Sequence, residues 1–260
     1  MNELSKELQF NNKESPVYVP NEIFNDLKRN VKGSSHIAFA YSYYYLMSWL
    51  YRYGKYGQIG LKVDDVKRIL RYSPSNRDVN YLIKKNGVMD QLDYTYSSTD
   101  YPISWDWNNG DIQFMMLSDL DSDTKKLLVD MRGKNYKVKV PVKGLFRSKE
   151  SEEENYFDGT FYDISNTHLI PFEDFLLCME REIGVTGLYL YGYLRCNCQW
   201  HNGKYNSSLE RIATDTGLSV NTVDRYIGKL INYGLVKYAE GTCKKIDGEF
   251  KRDANTYQIA

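Results

Sequence analysis

The sequence predicts a mainly helical α+β chain built from two copies of one unit, a pair of short helices followed by a β-hairpin. Three observations carry that expectation. Residues 208–232 read as two helices joined by a tight turn, with Gly234 just beyond them. Val19-Pro20-Asn-Glu22-Ile-Phe24 returns as Ile170-Pro171-Phe-Glu173-Asp-Phe175, a separation of 151, and Gly54-Lys55-Tyr56 returns as Gly203-Lys204-Tyr205, a separation of 149. Each recurrence brackets an aromatic-rich helical stretch, 38–53 and then 187–200. So small a drift between the two separations points to duplication of one domain.

The expected organisation is a polar tail at 1–15, a first domain at 16–147, an acidic linker at 148–160 and a second domain at 161–260. Charge follows a similar division. Residues 13–110 hold 13 basic and 10 acidic side chains, 111–180 hold 9 and 14, and 181–260 hold 11 and 8. Two mildly basic ends around an acidic middle permit contact with a polyanion at both ends. The polar start lacks the layout of a secretory signal, and the apolar run at 36–51 is too short and aromatic to span a bilayer. Four cysteines without an export signal fit a reducing cytoplasm, so a cytoplasmic protein without membrane contact is expected.

In the first copy, 66–70 offers one helix, and Val79, Leu82 and Ile83 the inward face of another, which Gly87 ends. Ser73-Pro74-Ser75 takes the place of a glycine turn. Residues 91–105 alternate and turn like a two-stranded hairpin, 111–116 suggests a further strand and 122–132 a short helix. Residues 136–143 alternate strictly, with Val138, Val140 and Val142 on one face and lysines with Pro141 marking an edge strand.

The second copy is written more fully. Ala213 is small where helices cross, Gly217 suits a left-handed helix end, and Ser219 caps the next helix. Val223, Ile227 and Leu230, with Tyr226, form its buried stripe. The strands at 235–240 and 254–259 should pair, with Lys244, Lys245, Lys251 and Arg252 in the loop between them.

Several chemistries lack their residues. There is no glycine-rich phosphate loop of either common kind, and no paired catalytic carboxylates or clustered histidines stand out. Neither a cofactor nor catalysis is therefore expected. Cys196-x-Cys198-x-x-His201, with Cys243, has zinc-ligand types, but two helical residues two apart point nearly opposite ways, so no metal is expected. The tyrosines at 41, 43, 44, 45, 51 and 53 read as core packing before base stacking.

At 208–235 the chain resembles winged helix-turn-helix DNA-binding proteins. Two such units in one chain, with the Pro-x-Glu-x-Phe segments, resemble the replication initiators of bacterial plasmids and phages. That resemblance implies double-stranded DNA as partner, with host replication proteins and a second copy docked through the first domain as further partners. The reading helix at 219–232 would present Ser219, Val220, Asn221, Thr222, Asp224, Arg225 and Lys229, with Ser208 at the preceding cap. Lys244, Lys245, Lys251 and Arg252 would add phosphate contacts, as would Lys67, Arg68, Arg71, Arg77, Lys84 and Lys85 in the first copy. A transcriptional regulator using the same chemistry, or a protein-docking module without DNA, are the alternatives.

Overall fold

A computed structural model describes residues 3–108, 111–133, 135–145, 164–246 and 249–260. The fold is α+β, with helix outweighing strand. The expected linker at 148–160 lies outside the described residues, as does the proposed start of the second domain at Phe161.

The first fifteen residues are not the free polar tail expected from their composition. They begin with α1 (Glu3–Glu7) and bury Leu8, while Phe10 lies against the rings of Trp49 and Phe172. Buried Glu14 pairs with buried Lys55 at 2.8 Å. Two apolar anchors and one ion pair outweigh the polar character of the segment.

The chain continues through β1 (Pro16–Pro20), α2 (Ile23–Asn30), α3 (Ser34–Arg52), α4 (Lys55–Gln58), α5 (Val63–Ile69), α6 (Asn80–Ile83) and α7 (Val88–Gln91). Then come β2 (Tyr96–Ser98), β3 (Pro102–Asn108), β4 (Asp111–Met116), α8 (Ser122–Arg132), β5 (Val138–Val140) and α9 (Val142–Leu145). After the undescribed stretch lie β6 (Thr167–Pro171), α10 (Phe172–Glu180), α11 (Gly184–Trp200), β7 (Tyr205–Ser207), α12 (Leu209–Thr216) and α13 (Val220–Asn232). The last strands are β8 (Val236–Ala239), β9 (Cys243–Ile246), β10 (Glu249–Arg252) and β11 (Asn255–Ile259).

The strands that lead into the two recurrent segments meet. β1 pairs antiparallel with β6, and the register centres on Tyr18 opposite Leu169, two residues 151 apart. That is the separation of the recurrent Pro-x-Glu-x-Phe segments, so each strand meets its own sequence counterpart. Beside this ribbon α3 packs on α11. Their approach is close: a Cβ at Gly192 would lie 1.9 Å from the Tyr41 hydroxyl.

The tyrosines of α3, and Tyr53 just after it, are core residues. Tyr41, Tyr44 and Tyr45 are fully buried, and Tyr43, Tyr51 and Tyr53 nearly so, which removes them as a base-stacking platform. A buried tyrosine usually finds a partner for its hydroxyl. Tyr45 donates to the Ile170 carbonyl at 3.1 Å, Tyr53 to Pro16 at 2.8 Å, and the Trp49 indole to Glu14 at 2.7 Å. Aromatic side chains of α3 and of Tyr53 thereby satisfy backbone carbonyls around the start of β1 and on β6.

His168 sits in the centre of this seam. It donates through Nδ1 to Asn21 Oδ1 at 2.8 Å and accepts at Nε2 from Tyr41 at 2.7 Å. Burial, with the Arg195 charge adding, depresses its pKa to about 3. A depressed histidine binds fewer protons when folded, so its stabilising share is complete above about pH 6.5 and is lost as pH falls from there. By about pH 4.5 the expected loss is roughly 2–3 kcal/mol. Urea midpoints at neutral and acid pH for wild type and His168→Gln measure it, and the variant should lose less stability on acidification.

Two expectations for the middle segment fail. β2 pairs with β5 and β3 with β4, so 91–105 is not a hairpin of its own. The strict alternation after Tyr136 ends at Val140, and Val142 begins α9. Lys139 is no solvent-facing guard of an edge: it is buried, with its ammonium 2.7 Å from Asp90 Oδ2. The pair forms because Asp90 on α7 lies beneath the strand, which alternation alone does not reveal.

Candidate nucleic-acid interface

α12 and α13 form where the caps demand. Ser208 Oγ accepts from the Arg211 amide, and Ser219 Oγ accepts from the Thr222 amide. Gly217 between them has φ +72°, the left-handed conformation that ends a helix. Ala213, Val223, Ile227 and Leu230 are buried, holding the two helices against each other and against α11. β8 then pairs with β11, and β7 completes a three-stranded sheet on the other side of β11. The stretch between β8 and β11 is not an open loop, since β9 and β10 pair within it as a second hairpin. The side chains of Lys244, Lys245, Lys251 and Arg252 on that hairpin lie outside the described residues.

The buried stripe leaves the opposite face of α13 open. Ser208, Ser219, Val220, Asn221, Asp224 and Arg225 are exposed, and Thr222 is half-buried with its hydroxyl against that of Ser219 at 2.8 Å. A Cβ at Gly228 would meet nothing within 4 Å, so the protein itself makes no use of that vacancy. Arg225 lies over the Tyr226 ring at 5.1 Å. It forms no ion pair with Asp224 among the described residues. Lys229 is drawn the other way, donating to the Glu182 carbonyl at 2.5 Å and approaching the Glu182 carboxylate at 3.9 Å. Its cation belongs to the support of the helix more than to its open face. Sequence reading missed exposed Lys237, Tyr233 and Tyr238 beside this helix.

The counterpart helices expected at 66–83 are shorter. α5 has seven residues and α6 only four, and the helix stops at Ile83, not at Gly87. Gly87 is needed for space: a Cβ there would sit 2.6 Å from the Tyr81 carbonyl. Lys67 leaves the set of candidate DNA contacts, because it is buried and its ammonium donates to the Asn76 carbonyl at 2.6 Å. It closes the turn that Ser73-Pro74-Ser75 makes. Arg68 is held by both carboxylate oxygens of Glu7 and keeps about half its side chain exposed. Arg71, Arg77, Lys84 and Lys85 stay exposed.

Cys196 and Cys198 are both buried within α11. Burial raises both thiols, Cys196 to about 12, which disfavours the thiolate a metal needs. The Cys198 thiol lies 3.5 Å from the Tyr257 carbonyl, and the His201 ring is bonded to the Asn197 carbonyl at 2.8 Å. No group of three His, Cys, Asp or Glu among the described residues is placed to hold an ion. No helix among them is long and apolar enough to cross a membrane. The chain matches no family model, no curated protein and no solved structure.

Proposed function

We propose that this chain is a tandem winged-helix protein, arisen by duplication, that binds double-stranded DNA without catalysing a reaction. The pairing of Tyr18 with Leu169 at the repeat distance supports duplication, since two copies of one domain related by a two-fold axis meet at equivalent residues. The observation that carries the functional reading is the open face of α13. It offers an amide at Asn221 and a guanidinium at Arg225 without acid partners among the described residues, on a helix capped by Ser219 and bare at Gly228. Asparagine matches the edge of adenine and arginine that of guanine in a major groove. The biological role this best suits is replication initiation of a plasmid or phage, in which repeated sites near the chain's own gene are bound. Transcriptional regulation would use the same face at a single operator.

In this reading the first copy contributes phosphate contacts through Arg71 and Arg77, and Lys67 contributes none. Arg71→Gln with Arg77→Gln should reduce the slope of log affinity against log salt by about 1.8 while leaving sequence preference intact. Titrations across a salt series test it, and an unchanged slope excludes the first copy from the DNA. The near-neutral surface of α12 and α13, with exposed Val220, Tyr233 and Tyr238, is what favours a protein-docking role instead. Binding of any duplex at low salt separates the two readings.

A further inference from the structure

The first copy encloses a cavity of about 600 Å³ that the DNA reading does not use. Its size is that of a small-molecule site. The floor is apolar and comes from several elements: Tyr43 and Met47 of α3, Val66 of α5, Ile83 of α6 and Val138 of β5, all buried. Its rim is cationic. Exposed Lys62, Lys84, Lys85 and Lys137 line it, and no carboxylate does so among the described residues. None of these four lysines forms an ion pair among the described residues, in contrast to Lys139, which Asp90 neutralises.

The wall carries a second, independent sign of an incomplete site. Arg132 and Tyr136 both line the cavity, and Arg132 Nε and the Tyr136 hydroxyl are buried without a hydrogen-bond partner among the described residues. Arg132 is otherwise fixed, its Nη2 donating to the Gly57 carbonyl at 2.9 Å and to the Gln58 carbonyl at 3.1 Å. Burial holds the Tyr136 phenol in its neutral, donating form. A buried donor left unmet is costly, and a ligand acceptor would recover that cost.

We propose that this cavity binds a small aromatic anion, with its flat apolar body on the Tyr43–Met47–Val138 floor and its carboxylate or phosphate among the rim lysines. The proposal is independent of DNA binding, and Lys62 and Lys137, which that reading does not invoke, provide its test. The probe is 8-anilinonaphthalene-1-sulfonate, titrated by fluorescence into the full chain beside the uncharged N-phenyl-1-naphthylamine. Saturable one-to-one binding of the anion is expected, with the uncharged analogue at least about tenfold weaker. Lys62→Gln with Lys137→Gln should weaken the anion about tenfold, because two exposed charges are removed from the rim, and leave the uncharged analogue unchanged. Val66→Phe, which fills the floor, should abolish both. If Val66→Phe does not fold, the surface lysine pair alone decides. Displacement by adenosine monophosphate identifies a nucleotide-type ligand and displacement by 1-naphthoate a carboxylate. Failure of both to displace overturns the proposal, as does probe binding that the folded lysine variant leaves unaltered.

Discussion

Lys55→Met is expected to lower the unfolding free energy by about 3–5 kcal/mol, the cost of leaving a buried charge uncompensated. Lys55 is 2% exposed and its ammonium meets Glu14 at 2.8 Å, the Gln9 carbonyl at 2.8 Å and Gln58 Oε1 at 3.1 Å. It also lies 5.7 Å from the centre of the Trp49 ring. Methionine preserves most of that volume and removes every one of the polar contacts. The Glu14 carboxylate then keeps, among the described residues, only its bond from the Asn11 backbone amide, at 3.1 Å, inside the core. Adding Glu14→Gln should restore part of the loss, because the stranded carboxylate goes with it. Urea denaturation of the single and double variants reads both effects. A loss below about 1 kcal/mol for Lys55→Met would place this pair in effective contact with water.

The second large effect is on binding. Asn221→Ala and Arg225→Ala should each cost roughly 1–3 kcal/mol on the specific duplex and much less on a scrambled one. Both side chains are exposed and neither packs in the core, so their truncation leaves the fold intact. Asp224→Ala should raise affinity for all duplexes slightly and relax specificity, since Asp224 is exposed and has no ion-pair partner among the described residues to lose. Titrations of the three variants on both duplexes at one salt concentration give the numbers. Lys229→Ala is expected to act differently. It releases Glu182 and removes a cation from over the Tyr226 ring, so its effect falls on stability before recognition.

What was legible in the sequence was local. Ser208, Gly217 and Ser219 mark helix ends through bonds that span three or four residues, and the stripe of Val223, Ile227 and Leu230 follows from helical period. What was hidden depended on distant partners. The alternation at 136–143 announces a strand but not that it pairs with β2, a choice fixed by Asp90 beneath Lys139 and by Tyr56 donating to the Lys139 carbonyl at 3.0 Å. The charge count at 13–110 could not separate Lys67, spent on the Asn76 carbonyl, from Arg71 and Arg77 at the surface. The repeat gave the equivalence of 18 and 169 without revealing that the two strands face each other. Of the candidate site, the open face of α13 was readable, and the tether of Lys229 to Glu182, 47 residues away, was not.

The central claim is that α13 reads base edges. Its most direct test is selection of duplexes from a random-sequence pool by wild type and by the Asn221→Ala/Arg225→Ala variant, at one fixed salt concentration. Wild type should enrich a defined motif holding an adenine and a guanine within a few base pairs of each other. The folded variant should lose the preference at those two positions and retain weaker, salt-sensitive binding to all sequences. Enrichment of the same motif by both proteins, or of none by wild type, would contradict the account.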